Sequence, residues 1–303
     1  MPQIAVLIPC YNEECTIGKV VNDFRKSLPE ATVYVYDNNS SDATAVKARE
    51  AGAIVRYERC QGKGNVVRSM FRDIDADCYI MVDGDDTYPA DMAGRMVSMV
   101  MSEGIDMVIG DRLSTTYFEQ NKRPFHNAGN QFVVKTINRL FHSDVKDVMS
   151  GYRVMSRRFV KHCPILSSGF EVETEMTIHA LDKNMSIKEV PIEYRDRTEG
   201  SVSKLNTFSD GIKIIMTIAS LYRDYRPLSF FSSIAAVLAL ISTLFLIPVL
   251  SEYLQTGLVP RFPTLIVCTM VLLIALMTFF CGVIIHVIVR KNKFMYELHL
   301  ISK

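Results

Sequence analysis

The chain contains 303 residues, with 34 Lys and Arg against 33 Asp and Glu, which gives a formal net charge of +1 at pH 7. This length predicts one or two domains, and the near-neutral charge argues against a nucleic-acid-binding protein. The seven cysteines are scattered and form no Cys-x-x-Cys pair, so neither a disulfide framework nor a zinc site is expected.

Strand-like and helix-like segments alternate in the N-terminal part of the chain. Strands are predicted at residues 4–8, 33–36, 53–55, 78–82 and 107–109, and helices at 16–28, 41–51, 64–71 and 92–101. This alternation predicts an α/β domain with a Rossmann-like, mostly parallel sheet and helices on both faces. Ligands of such sheets bind outside the carboxyl ends of the strands.

Two carboxylates, Asp83 and Asp85, directly follow the buried strand predicted at 78–82. Carboxylates at the end of a buried strand are costly unless something binds them. Mg²⁺ is commonly held by one or two carboxylates together with substrate phosphates. The tripeptide therefore predicts a metal site, with a solvated turn as the alternative.

Polar clusters also follow the first two predicted strands, at residues 11–14 and 37–42. Gly62-Lys63-Gly64 precedes the third predicted helix and offers a cation and flexible backbone where a phosphate could lie. Each cluster alone fits a solvated loop. Their shared position on one rim of the sheet favours a nucleotide site.

Two apolar stretches, 228–250 and 264–289, contain no charged residue and exceed the roughly 20 residues that span a bilayer core. Apolar residues recur at helical spacing over 206–222, which predicts an amphipathic helix at the membrane surface; a helix packed on the soluble domain is the alternative. The chain is thus divided into a domain at 1–205, a juxtamembrane helix at 206–226 and a two-helix hairpin at 227–303.

Basic residues flank the two spans but are scarce in the connecting loop, 251–263. The positive-inside rule therefore predicts a multi-pass protein of the cell membrane with both ends, and the N-terminal domain, in the cytoplasm. The chain starts with a strand-like run, so no signal peptide is expected.

Four motifs together resemble the family 2 glycosyltransferases of GT-A fold in their order and spacing. They are Pro9-Cys10-Tyr11-Asn12-Glu13, Asp37-Asn38-Asn39-Ser40-Ser41-Asp42, Gly62-Lys63-Gly64 and Asp83-Gly84-Asp85. Three later segments are similar to the subgroup that loads a sugar onto a polyprenyl phosphate, such as dolichyl-phosphate mannose synthase and bacterial undecaprenyl-phosphate glucosyltransferases. These segments are Gly110-Asp111-Arg112, residues 147–153 and residues 197–204.

The resemblance implies an inverting transfer of a hexose, with glucose or N-acetylglucosamine favoured, from a UDP-linked nucleotide diphosphate sugar to undecaprenyl phosphate. It also implies a divalent cofactor, Mg²⁺ or Mn²⁺, a role in cell-envelope glycan modification, and a homo-oligomer, by family resemblance a tetramer. A phosphate acceptor needs no general base, because its second pKa is about 6 and it is largely dianionic at pH 7. Arginine suits such an acceptor because its planar fork donates two hydrogen bonds.

The resemblance also implies roles for individual residues. The catalytic group is Asp83, Asp85 and Asp86, of which Asp83 and Asp85 hold the metal. Nucleotide-sugar contacts are expected from Pro9, Tyr11, Glu13, Asp37, Asn39, Lys63, Asp83 and Gly84. Acceptor-phosphate contacts are expected from Arg112, Arg123, Asn127, Ser150, Arg195, Arg197 and Lys204.

Structural alternatives remain for several of these residues. Arg195 and Lys204 also fit a basic surface facing solvent or lipid headgroups, and Ser150 with Gly151 also fits a structural turn. The glutamates at 171, 173 and 175 fit a solvated helix face and receive no catalytic role.

The chain departs from the family pattern at three positions. Asn38 stands where a second acid is usual, and Thr87 stands where the mannose synthases have a metal-binding Gln. Asn127 replaces a Ser that helps to hold the acceptor phosphate.

Three other functions compete with this reading. A processive polysaccharide synthase would carry a Gln-x-x-Arg-Trp motif, and this chain has no Trp. Transfer to diacylglycerol or protein would need a catalytic base. A non-catalytic membrane scaffold is disfavoured because Asp83 and Asp85 are intact.

Overall fold

The structure is a computed structural model that describes residues 2–114, 124–169, 171–195, 219–220 and 222–301. It forms two compact units, Met1–Thr207 and Phe208–Lys303. Most of the amphipathic helix expected at 206–226 lies outside the described residues, so the domain boundaries stay predictions.

The first unit is built on a seven-stranded sheet with the spatial order β3-β2-β1-β4-β6-β5-β7. Its strands are β1 (Ile4–Cys10), β2 (Thr32–Asp37), β3 (Ile54–Tyr57), β4 (Cys78–Met81), β5 (Met107–Asp111), β6 (Arg153–Ser156) and β7 (Ile187–Pro191). All neighbouring strands are parallel except β6, which runs antiparallel to β4 and β5. The mostly parallel α/β sheet expected from the sequence is confirmed.

Seven helices of the first unit are described. They are α1 (Ile17–Ser27), α2 (Thr44–Glu50), α3 (Lys63–Asp73), α4 (Ala93–Glu103), α5 (Pro124–Phe141), α6 (Arg157–His162) and α7 (Val172–Asp182). Buried residues of α1, α2 and α4 share one hydrophobic core with alternate residues of β1 and β4. Helix α3 packs with α6 and α7. Apolar helix faces thus cover a sheet that is itself almost wholly apolar, as expected when both faces are buried.

Strand β1 continues through Pro9, where the sequence predicted its end. The Leu7 carbonyl accepts a hydrogen bond from Val82 on the β4 side, and Pro9 has the same backbone orientation as Leu7. Pairing with β4 ends at Leu7, so Pro9 sits where no ladder hydrogen bond needs its missing N–H. The Cys10 carbonyl oxygen still accepts a hydrogen bond from the backbone N–H of Asn38, the residue after β2.

The antiparallel β6, which the sequence analysis did not predict, brings a distant segment to the carboxyl edge of the parallel strands. An antiparallel strand begins where its parallel neighbours end, so residues 147–152 lie at the carboxyl edge of β4 and β5. Arg153 at its start is fully buried and donates to the carbonyl oxygens of Ser150 (2.9 Å) and Val148 (2.8 Å). Burial lowers the pKa of Arg153 to about 10.

The second unit contains α8 (Pro227–Thr256) and α9 (Phe262–Ile301), both long and apolar enough to cross a membrane. Small side chains at intervals of seven residues face the partner helix, including Ala235 and Ser242 on α8 and Cys268 and Ala275 on α9. The Ser242 hydroxyl donates to the Cys268 carbonyl oxygen at 2.7 Å. Small residues of this kind let apolar helices approach closely.

Candidate active site

The Asp83-Gly84-Asp85 turn leaves β4 at the carboxyl edge and is fixed from two sides. The Thr16 hydroxyl of the segment before α1 donates to the Gly84 carbonyl oxygen at 2.7 Å. Asp85 is buried, and its Oδ1 accepts hydrogen bonds from the Thr87 hydroxyl (2.6 Å) and backbone N–H (3.3 Å). Thr87, which departs from the family pattern, thus orients the second carboxylate of the turn.

Lys63 lies between two carboxylates. Its ammonium pairs with Asp83 Oδ1 at 2.5 Å and with Glu173 Oε1. Burial alone would lower the pKa of Lys63, but the attraction of Asp83 and Glu173 outweighs it and raises the pKa well above its ordinary value. The lysine is therefore cationic at neutral pH.

The expectation of a solvated helix face is wrong for Glu173 and Glu175. Glu173 is buried because Lys63 compensates its charge. Glu175 is half-buried and accepts hydrogen bonds from the backbone N–H groups of Leu166 and Ser167. Glu171 alone is exposed as expected.

Two glycines allow the start of α3 to touch the loop that precedes α7. A Cβ on Gly62, where φ is +130°, would lie 2.1 Å from the Ser168 carbonyl oxygen, and one on Gly64 would lie 2.3 Å from that of Ser167. The Gly64 N–H donates to the Ser168 carbonyl oxygen at 3.1 Å. This close approach places Lys63 beside Glu173.

Asp37, at the end of β2, is buried with its Oδ1 unpaired among the described residues. Asn38, which replaces an expected acid, has a structural role. Its amide donates to the carbonyl oxygens of Glu58 and Cys60, both at 2.9 Å, and its Oδ1 accepts from the Gly62 N–H at 2.7 Å. A carboxylate could not make the two donations, so an amide is required here.

Residues 9–14 and 38–44 form adjoining loops on the same rim. Asn12 Oδ1 accepts from the Ser41 N–H at 2.8 Å, and the Asn12 N–H donates to the Ser40 hydroxyl at 2.9 Å. Asn39 is exposed, with φ of +63°, and donates to the Arg59 carbonyl oxygen at 2.8 Å. The remaining predicted donor-side residues lie in this region: Tyr11 exposed, Pro9 and Glu13 half-buried, and Gly84 buried behind them.

Asp86 has basic partners of its own. Its φ is +59°, and both carboxylate oxygens lie 2.6 Å from the Lys19 ammonium. Arg195 lies farther off, with Nη1 at 3.8 Å from Asp86 Oδ1. The carboxylate is therefore neutralised by cations other than Lys63.

Arg112, at the end of β5, is gripped by Asp147. Its Nε and Nη2 donate to the two carboxylate oxygens at 2.7 and 3.0 Å, and its guanidinium lies over the Tyr194 ring. Nη1 lies 3.4 Å from the Tyr88 hydroxyl, which also accepts from the Gly151 N–H at 3.0 Å.

Gly151 connects this arginine to the Asp83-Gly84-Asp85 turn. A Cβ at position 151 would lie 2.6 Å from Asp83 Oδ2, so the Asp83 carboxylate rests directly on the glycine backbone. The neighbouring Ser150 is fully buried, and its hydroxyl accepts from the Tyr152 N–H at 3.4 Å. The structure thus supports the turn reading of Ser150 and Gly151, and the acceptor role of Ser150 stays a prediction.

Three predicted acceptor residues, Arg123, Arg197 and Lys204, lie outside the described residues. Asn127 falls in α5, in a part where side chains are not described. The structure therefore brings Arg112 to the site and places Arg195 at its border, beside Asp86.

The donor set suits a hard divalent cation. In the described parts of the chain no three His, Cys, Asp or Glu side chains come together as a metal site. Asp83 and Asp85 provide two carboxylates, which fits an ion that takes its other ligands from water and substrate phosphate. In the structure Asp83 is paired with Lys63.

Comparison with known proteins agrees with this geometry. The family model described as glycosyl transferase family 2 matches residues 5–163. The chain belongs to glycosyltransferase family 2. It is therefore an enzyme. Its relative glycosyltransferase AglJ of Haloferax volcanii is 34% identical over 232 residues, which cover 76% of each chain.

One further relative and one solved structure are informative. The dolichyl-phosphate hexose transferase of H. volcanii is 29% identical over 223 residues, covering 74% of this chain and 95% of the relative. Glucosyl-3-phosphoglycerate synthase from Mycobacterium tuberculosis, solved with Mn²⁺, UDP-glucose and phosphoglyceric acid, has a TM-score of 0.56 at 21% identity over 72% of this chain and 79% of that one. This likeness confirms the GT-A fold.

We predict that Asn38→Asp destabilises the first unit by about 2–4 kcal/mol, because two carbonyl groups lose their donor and face a carboxylate. The thermal unfolding midpoint of the purified protein should fall accordingly. Asn39→Asp is the matched control, since Asn39 is exposed and donates to one carbonyl. Equal midpoints for the two variants would show that the Asn38 amide is not required.

Proposed function

We propose that this glycosyltransferase moves a hexose from a nucleotide diphosphate sugar to a polyprenyl phosphate. The observation that carries the proposal is the Tyr88 hydroxyl, which contacts Arg112 and accepts from the N–H of Gly151, the glycine against which the Asp83 carboxylate packs. Through Tyr88 and Gly151, an arginine suited to phosphate is linked to the Asp83 carboxylate. The relative named as a dolichyl-phosphate hexose transferase supports the same acceptor class.

The proposed chemistry brings two anions together, and cations hold them. The acceptor phosphate is its own nucleophile, since it is largely dianionic at pH 7. Arg112 receives it, with Arg195 at the border and the predicted residues Arg123, Asn127, Ser150, Arg197 and Lys204 completing the acceptor site. Attack on the anomeric carbon expels a nucleoside diphosphate, whose developing charge must be stabilised.

The donor occupies the rim between β1, β2 and β4. Asp37 offers a buried, unpaired oxygen, which a ribose hydroxyl or a base N–H would satisfy. Pro9, Tyr11, Glu13, Asn39 and Gly84 line the same rim. UDP-glucose or UDP-N-acetylglucosamine is the favoured donor, in keeping with the UDP-glucose bound by the structural neighbour.

A divalent cation, Mg²⁺ or Mn²⁺, would be held by Asp83 and Asp85 and would act as a Lewis acid on the departing diphosphate. Lys63, a donor-side residue, adds a second positive charge near the diphosphate. The catalytic role expected of Asp86 stays a prediction, because its carboxylate is paired with Lys19. The neighbour solved with Mn²⁺ supports this assignment.

Attachment to the membrane would be provided by α8 and α9, which together would make a multi-pass protein of the cell membrane. The catalytic unit would lie in the cytoplasm, where nucleotide sugars are available, and the product would serve cell-envelope glycans. A homo-oligomer, a tetramer by family resemblance, is part of the proposal.

The acceptor is tested by incubating detergent-purified protein with UDP- and GDP-linked hexoses and one of three acceptors: undecaprenyl phosphate, diacylglycerol or a peptide. We expect a hexose mass increment on the lipid phosphate alone, measured by mass spectrometry. Transfer to diacylglycerol or peptide, with none to the lipid phosphate, would refute the acceptor assignment.

The metal assignment is tested with Asp85→Asn. We expect a loss of transfer of about 10²-fold or more, because one ligand and its leaving-group stabilisation are removed. Asp91→Asn is the control, since Asp91 is exposed on the neighbouring 3₁₀ turn. EDTA should abolish wild-type transfer and Mg²⁺ or Mn²⁺ should restore it; full activity in EDTA contradicts the assignment.

Orientation is tested by thiol labelling of intact cells, using a protein whose exposed cysteines (Cys15, Cys60 and Cys281) are replaced by Ser. An impermeant label should react with Leu258→Cys in the loop between the spans and not with Ser40→Cys, because the basic residues flank the spans on the cytoplasmic side. Labelling at position 40 would show that the topology is the reverse of the predicted one.

A further inference from the structure

Glu173 is the most deeply buried member of an ion-paired trio formed by Asp83, Lys63 and Glu173. The exposed fraction of the side chains falls from 29% for Asp83 to 10% for Lys63 and 5% for Glu173. The trio therefore runs inward from the rim, with the lysine between an accessible carboxylate and an inaccessible one. A ligand arriving at the site meets Asp83 first.

The backbone around the inner end of the trio is fixed. Glu173 lies in the first turn of α7, where the helix dipole favours an anion. Gly62 and Gly64 hold the start of α3 against the carbonyl oxygens of Ser167 and Ser168. Glu173 and the Lys63 backbone therefore cannot separate, whereas the long lysine side chain can change its partner at the outer end.

Binding of a divalent cation creates a conflict at Asp83. The metal and the Lys63 ammonium would both claim the Asp83 carboxylate, and the two cations repel each other. If Asp83 were the only partner of Lys63, releasing it would leave a buried, unpaired charge, which is strongly unfavourable. Glu173 removes that cost, because the lysine keeps one carboxylate when it leaves the other.

We infer that Glu173 is a positioning residue, which keeps Lys63 paired while Asp83 turns to the divalent cation and the ammonium passes to the diphosphate of the donor. The inference rests on the proposed function for the donor and the cation, but not for the acceptor. Glu173 itself contacts neither ligand and acts through Lys63.

A general electrostatic effect would have the opposite sign. Neutralising a carboxylate near an anionic ligand should tighten binding of a metal–diphosphate complex, because one repulsion is removed. Under the inference, Glu173→Gln should weaken binding, since Lys63 would then be tied to Asp83 alone. The direction of the change therefore separates the two explanations.

The experiment is calorimetric titration of full-length, detergent-purified protein with UDP and with GDP, each in excess Mn²⁺. We expect Glu173→Gln to weaken binding of the diphosphate that the wild type prefers by about tenfold or more. Glu171→Gln, the same change at an exposed position two residues earlier, should leave affinity unchanged. Affinity of Glu173→Gln equal to or tighter than wild type overturns the inference.

A double variant tests whether Glu173 acts through the lysine. In a Lys63→Met background, adding Glu173→Gln should cause no further loss of affinity and should raise the thermal midpoint, because the pair of buried charges is removed together. A further, additive loss of affinity would overturn the inference. This comparison also decides the matter if Glu173→Gln alone does not fold.

The outcomes distinguish this inference from the proposed function. If the variants change diphosphate affinity as expected but the wild type transfers no sugar to a polyprenyl phosphate, only the acceptor assignment is refuted. A wild type that binds neither diphosphate with Mn²⁺ would refute the proposed donor and, with it, the role of Glu173.

Discussion

Negative charge accumulates at the carboxyl edge of the sheet, and neutralising it constrains the rest of the site. The carboxylates there are Asp37, Asp83, Asp85, Asp86, Asp111 and Asp147. Like charges in a partly buried region destabilise one another unless each has a partner. Lys63, Lys19 and Arg112 each neutralise one of them, and each comes from a different element. Asp85 and Asp111 also accept hydrogen bonds from neighbouring hydroxyl and backbone groups.

This pairing suits the proposed ligand, a complex of a divalent cation with a diphosphate that carries both positive and negative charge. The proposed ligands, a divalent cation and a diphosphate, would bring charges of +2 and about −2 to −3 to the rim, so the cations already present could exchange partners without a large change in net charge. Lys63 has a second carboxylate, Glu173, which the inferred exchange would use, whereas both carboxylate oxygens of Asp147 accept hydrogen bonds from Arg112. On this proposal Lys63 is the cation that changes its partner and Arg112 is the cation that keeps it.

The sequence predicted what local patterns encode. Apolar runs ending in polar clusters located β1, β2 and β4 and the residues that follow them. The short β6 was missed because it begins with Arg153, whose burial depends on carbonyl groups that only the folded chain supplies. The sequence wrongly predicts a solvated position for Glu173 for the same reason, since its partner Lys63 is far away in the sequence. The structural role of Asn38 likewise depends on two carbonyl acceptors that only the folded chain brings to it.

The contact between the start of α3 and the loop before α7 limits how this chain could be recombined with a relative to make a hybrid enzyme. The strands that carry the proposed donor side, β1, β2 and β4, come from the first third of the chain, so a hybrid could combine them with the second half of a relative. Such a hybrid would still need a carboxylate at 173 to pair with Lys63, and a loop at 167–168 that accepts the glycines at 62 and 64. The two halves are therefore interchangeable only between relatives that match at these few positions, however similar their sheets.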